Sequence, residues 1–207
     1  MDWHITFEMA ALSLASYEDS SEAVSEWYDD VIFFRDEATS TEAYLARGDG
    51  IRVIAIRGTD SKRDWYWNLA FGSRKCNDGQ HHGFAKSADL IMNSDAFREF
   101  SRWSGPIYMT GHSKGGSIAL IMALKMQQEV NSVYCFGCPR AGNRTFRKEY
   151  LKKGIKTNLF RNRFDVVSLL PPIIMGYIHV VKTIKTDSIG HDMNEYFDWV
   201  SKKTDSS

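Results

Sequence analysis

Excess charge of either sign is missing from this chain. Lysine plus arginine number 26 and aspartate plus glutamate 26, for a formal net charge of zero. A nucleic-acid binder needs a basic surplus or stripe, so that class is set aside. Long apolar runs are missing as well. The uncharged run Gly115 to Leu124 stops at Lys125, far below the roughly 20 residues that cross a bilayer. The start, Met1-Asp2-Trp3-His4, has no basic cluster, and Glu8 interrupts the apolar segment behind it. No export signal is read there, and the expected location is the cytoplasm. Cysteine is scarce and odd in number: Cys76, Cys135 and Cys138 make no disulfide framework, which agrees with reducing surroundings. Repeats, linkers and low-complexity tracts are also missing, so residues 1–207 are read as one domain with a polar tail from Lys202. What is present is 43% hydrophobic and 13% aromatic, enough for a substantial core and too much for a disordered chain.

The spacing Cys135-Phe-Gly-Cys138 invites a metal or redox reading. A zinc site needs a second such pair, and a redox motif opens a helix, whereas Pro139 to Asn143 reads as a turn-rich loop. Two packed structural cysteines are expected, with redox chemistry as the alternative. No metal and no organic cofactor are expected.

Along the chain, an Ala/Leu/Ser-rich helical pattern leads into an acidic stretch from Glu18 to Asp30. Strand-like runs follow at Thr41–Leu45, Ile51–Ile56, Ile107–Thr110, Val133–Phe136, Thr157–Phe160 and Tyr177–Lys185. Helical patterns cover Leu90–Trp103, Gly116–Val130 and about Asp192–Lys202. This alternation predicts a mostly parallel central sheet with helices on both faces. In such sheets, sites form where strands run out into loops.

One strand end carries distinctive chemistry. Gly111-His112-Ser113-Lys114-Gly115 follows the Ile107–Thr110 strand and precedes a helix, the context in which G-x-S-x-G presents a nucleophilic serine. The glycines let a strained serine turn pack tightly against strand and helix. A phosphate-binding loop is excluded, because Ser117 stands where that motif requires lysine. In hydrolases of this strand–turn–helix kind, an acid and then a histidine follow the serine in the chain. Asp165 lies in a strand-end loop and is preferred over Glu149, Asp187 and Asp192. His191, in a loop before the last helix, is preferred over His179, which falls inside an apolar run. His112 adjoins the serine, must point away from it, and is read as a packed, hydrogen-bonding histidine. The second half of an oxyanion hole should come from the loop after an early strand, where Arg57-Gly58-Thr59 stands. Beyond it, Trp65, Tyr66, Trp67, Leu69 and Phe71 fit either a core-facing helix or an amphipathic flap that meets lipid.

Several ordered motifs together carry a resemblance. Val53-Ile-Ala-Ile-Arg-Gly-Thr59, Asp64-Trp65 with Asn68-Leu69, His82-Gly83-Phe84, Thr110 to Gly116, Phe136 to Asn143, Asp165-Val-Val with Leu170-Pro-Pro172, Gly176-Tyr-Ile-His179 and His191 to Tyr196 span most of the chain. In these the sequence resembles the class 3 lipases, the fungal-lipase-like branch of the α/β-hydrolases. The resemblance implies an α/β-hydrolase fold, a triad of Ser113, Asp165 and His191, oxyanion donors at Thr59 and Lys114, and a lid over Asp60–Phe71. It implies a lipid or other ester substrate with transient contact at lipid surfaces. Ser168 stands where the family usually has proline, and Lys114 where leucine or methionine is commoner. The alternatives kept beside an acylglycerol lipase are a phospholipase A1-type enzyme, a soluble short-chain esterase and a non-catalytic hydrolase-fold interaction module.

Overall fold

β-branched and aromatic runs build the sheet, as their pattern requires. The computed structural model describes residues 1–18, 22–59 and 78–206. The chain opens with helices α1 (Trp3–Ala15) and α2 (Glu22–Ser25), then strands β1 (Asp30–Asp36), β2 (Thr41–Gly48) and β3 (Ile51–Ile56). Next come α3 (His82–Met92), α4 (Asp95–Phe100), β4 (Ile107–His112), α5 (Lys114–Lys125), β5 (Val130–Phe136) and β6 (Gly142–Asn143). The last part holds α6 (Arg144–Lys152), β7 (Lys156–Arg163), β8 (Tyr177–Ile178), β9 (Ile184–Ile189) and α7 (Met193–Thr204).

Among the described residues, the main sheet runs in the order β1-β2-β3-β4-β5-β7-β9. β1, β2 and β3 are antiparallel neighbours, and every pairing from β3 through β9 is parallel. Alternate side chains of each strand enter different cores. Ile54, Ile56, Met109, Val133, Cys135 and Leu159 join the core under α3, α4, α5 and α6. Val53, Ala55, Tyr134, Phe136 and Phe160 join the other, under α1 and α7. The expected parallel α/β architecture with both faces covered is therefore the one adopted.

The departures have local causes. Val31-Ile-Phe-Phe34 turns the end of the acidic stretch into the half-exposed strand β1, and the charges flanking it suit a sheet border. The helix expected over Leu90–Trp103 breaks at Ser94, whose Oγ accepts from the Phe97 N–H at 3.1 Å and starts a new helix. The α5 helix ends at Lys125, and Met126 is already extended. Tyr177–Lys185 is not one strand. Tyr177–Ile178 pairs with Gly142–Asn143 in a separate ribbon, and Ile184–Ile189 lies beside β7.

Phe100 illustrates how the α3/α4 side is held. It is fully buried, meets Trp103 edge-on at 5.6 Å and lies under the Arg52 guanidinium at 5.4 Å. Phe100→Ala should lower unfolding free energy by about 3–5 kcal/mol, read as a shifted urea midpoint with an unchanged slope.

Candidate active site

The turn after β4 is strained in the expected place. Ser113 has φ 53° and ψ −127°, a backbone region that non-glycine residues seldom occupy. Its N–H donates to the Phe136 carbonyl at 2.9 Å, so the strain is held by the neighbouring strand. The α5 helix starts immediately behind it. A Cβ at Gly115 would lie 2.0 Å from the Ile56 carbonyl oxygen and 2.9 Å from that of Arg57. Glycine is thus what lets the first turn of α5 rest on the end of β3 and on the Arg57–Thr59 loop.

Three side chains far apart in sequence meet here. His191 Nε2 lies 2.9 Å from Ser113 Oγ, and His191 Nδ1 lies 3.1 Å from Asp165 Oδ2. An ionised Asp165 only accepts, which assigns the proton to Nδ1 and leaves Nε2 to accept from the serine hydroxyl. Asp165 is 1% exposed. Burial opposes its ionisation, but hydrogen bonds from His191 and Tyr196, the electrostatic pull of the imidazole and the Ser168 amide outweigh it and hold the carboxyl below its usual range. Tyr196 Oη donates to Oδ2 at 2.5 Å, and the N–H groups of Val167 and Ser168 donate to Oδ1 at 3.0 and 3.3 Å.

Gly137, the glycine inside the Cys135–Cys138 spacing, sits beneath this row at φ +59°. A Cβ there would lie 2.7 Å from Asp165 Oδ2 and 3.0 Å from both His191 Nδ1 and Tyr196 Oη. The motif therefore matters to the site through its glycine. Cys135 and Cys138 are both free and buried. Burial pushes the Cys135 thiol well up, with neighbouring Cys138 adding to it, which favours packing over thiolate chemistry. Cys76 lies outside the described residues.

His112 faces away from the serine, as its position in the turn requires. Its Nε2 donates to the His191 carbonyl at 2.7 Å, which leaves Nδ1 to accept from Tyr17 Oη at 2.6 Å. Burial first, and then the neighbouring His191, lower His112 to about 3, so the ring is neutral. His179 Nε2 lies 2.7 Å from the Ser168 carbonyl, where it supports the Asp165 loop rather than reaching the serine. It follows the two-residue strand β8 instead of lying within a long one. Tyr17 and Tyr196 are polar partners that sequence reasoning did not assign. Tyr196 had a signal, five residues after His191 on the last helix. Tyr17 had none.

Lys114 is the first residue of α5, where a backbone N–H has no intrahelical acceptor. Its Nζ turns the other way and donates to the carbonyls of Thr39 and Ser40 at 2.7 and 3.0 Å, pinning the β1–β2 turn. Burial lowers this ammonium to about 8. Thr59 lies in the loop after β3, and its Oγ1 is buried without a partner among the described residues. Trp65, Tyr66, Trp67, Leu69 and Phe71, the flap residues, lie outside the described residues. Among the described residues, no cluster of side chains suited to a metal ion occurs, and no helix is long and apolar enough to cross a membrane.

The family model described as lipase (class 3) matches residues 53–175. The chain is 31% identical to a lipase of Rhizomucor miehei over 158 residues, 67% of this chain and 43% of that protein. It is 29% identical to secreted mono- and diacylglycerol lipase 1 of Fusarium solani over 153 residues, 68% of this chain and 46% of that protein. The chain thus spans less than half the length of these curated relatives. A solved structure, reported as a triacylglycerol lipase whose catalytic centre is formed by a serine protease triad, is similar with a TM-score of 0.73 and 26% identity. The likeness covers 89% of this chain and 80% of that one.

Buried neutral histidines give this fold an acid limit. Burial, the largest cause in each, lowers His81 to about 4, His112 to about 3 and His179 to about 4. In the unfolded chain they titrate near 6.5. Between those values the unfolded state binds more protons, so stability falls as pH drops below about 6.5, by about 1.4 kcal/mol per histidine per pH unit. Melting temperatures measured from pH 7 to pH 4 should fall steeply, and His81→Phe should flatten part of that slope.

Proposed function

The chain belongs to the class 3 lipase family, and we propose that it hydrolyses carboxylic esters of lipids through an acyl-enzyme. The observation that carries this reading is the unbroken row of hydrogen bonds from Ser113 Oγ through His191 to Asp165. As Ser113 attacks the ester carbonyl, His191 Nε2 takes the hydroxyl proton. Asp165 holds the imidazole in the tautomer with the proton on Nδ1 and stabilises the imidazolium that forms. The carbonyl oxygen gains charge in the tetrahedral intermediate. In this reading the Lys114 N–H and the Thr59 backbone and hydroxyl serve as its donors, aided by the positive end of α5.

Collapse of the intermediate breaks the ester C–O bond, and His191 returns the proton to the departing alcohol. A water then attacks the acyl carbonyl, His191 accepts its proton, and the acid leaves with Ser113 restored. The curated relatives named above act, by their names, on mono- and diacylglycerols or as lipases, which favours acylglycerol esters as the substrate class. The Asp165 and Ser113 positions fall within the segment matched by the family model, and His191 joins them by geometry.

A fluorophosphonate probe should label Ser113, and Ser113→Ala should abolish the label. Absence of labelling in folded protein would favour an interaction module. His191→Ala should lower ester turnover by roughly a thousandfold or more. His179→Ala should instead cost stability, about 1–3 kcal/mol for its buried hydrogen bond. The reverse pattern in these two variants would assign the base to His179. Gly137→Ala, which forces a side chain under the triad, should cut kcat with little change in KM.

A further inference from the structure

Positive charge without a carboxylate partner among the described residues marks a second site beside the first. Arg161 and Arg163 stand at the end of β7, and Lys185 of β9 is the cross-strand partner of Arg161. These three line a cleft of about 380 Å³ together with Asn162. Like charges on neighbouring strands repel. Among the described residues, none of the three has a carboxylate partner. Arg161 Nε and Asn162 Nδ2 are buried hydrogen-bond donors without acceptors among the described residues. Asn162 is 1% exposed, and its other amide atom is taken, since Oδ1 accepts from the Thr186 hydroxyl. Buried donors of this kind are ordinarily satisfied. The carboxylate in the cleft wall, Asp165, has both oxygens engaged by the triad and by loop amides.

The rim of the cleft is apolar. Phe164, Val166 and Leu169 line it and are 72%, 65% and 37% exposed. Phe164 is held at φ 59°, a conformation that a bulky residue adopts only where its surroundings impose it. Ile173, Ile174 and Ile189 are also exposed, so six of the ten large apolar side chains most exposed among the described residues fall between 164 and 189. A guanidinium pair and an ammonium inside an apolar rim match a phosphate carried on an amphiphile. An anionic group alone would not need that rim.

We propose that the Arg161–Arg163–Lys185 cleft binds the phosphate of an anionic phospholipid headgroup while its apolar rim enters the lipid surface. The site would deliver the triad, about one loop away, to negatively charged membranes. This rests on the lipid-hydrolase reading only for its purpose, because binding can be measured without turnover.

The test uses the Ser113→Ala protein and co-sedimentation with vesicles of phosphatidylcholine, with or without phosphatidylglycerol. Adding phosphatidylglycerol should raise affinity roughly tenfold or more at low salt, and raised salt should erode the gain. Arg161→Gln/Lys185→Gln should remove the preference. Arg102→Gln/Lys148→Gln, which removes the same charge from exposed positions elsewhere, should keep it. Lys185→Gln alone, on an exposed side chain, should lower the preference about fivefold with an unchanged melting temperature, which guards against misfolding in the double variant. Equal loss in both double variants would reduce the effect to general charge and overturn the site. Inorganic phosphate binding at the cleft with no vesicle preference would overturn the lipid assignment. Failure of fluorophosphonate labelling with intact vesicle binding would sink the hydrolase reading and leave this one standing.

Discussion

A carboxylate sealed from water must be compensated on every side, and Asp165 is such a group. Burial alone would keep it protonated. Its charge is sustained by groups from separate parts of the chain: the imidazole of His191, the hydroxyl of Tyr196 on the last helix, and the amides of Val167 and Ser168 in its own loop. Tyr196 Oη in turn accepts from the Asn162 N–H at 2.9 Å, which fastens that helix to the end of β7. Space for the assembly comes from Gly137 at the end of β5. The sheet, the last helix and the Asp165 loop are therefore mutually dependent. None can shift without uncovering the charge.

The same dependence separates the histidines. His191 stays partly accessible, with 14% of its side chain exposed, and bridges an acceptor and a hydroxyl. His112, packed ring to ring against it at 4.5 Å, has no carboxylate on either nitrogen and stays neutral. Two imidazoles side by side thus have different work, set by what surrounds them. One links the serine hydroxyl to the carboxylate, and the other fixes the main chain of its neighbour.

How much of this was legible in the sequence follows from how local each cause is. Ser113 was readable because its strain must be relieved by glycines at fixed offsets. Asp165 and His191 were readable because strand ends constrain where a catalytic side chain can stand. The β1 strand was hidden, since its four apolar residues lie among acids and depend on pairing with β2. Tyr17 was hidden for a stronger reason: its partner is 95 residues away, and no spacing rule reaches that far. The long apolar run at Tyr177 misled because two short strands in different sheets share one continuous pattern, and periodicity does not reveal to which sheet a residue belongs.

The tyrosine at position 17 has one more consequence. Its hydroxyl reaches His112, and a Cβ on Gly58 would fall 2.0 Å from it, so one phenol touches both walls of the serine turn. The Thr110 hydroxyl likewise donates to the Met9 carbonyl at 2.7 Å. Yet the family model begins at residue 53. Similarity and mechanics therefore draw different borders. A fragment cut to the matched segment would keep Ser113 and lose the struts that hold its turn in place, along with His191, which lies beyond residue 175. The smallest working unit of this protein is set by where its hydrogen bonds end, and they reach back into the first helix and forward into the last.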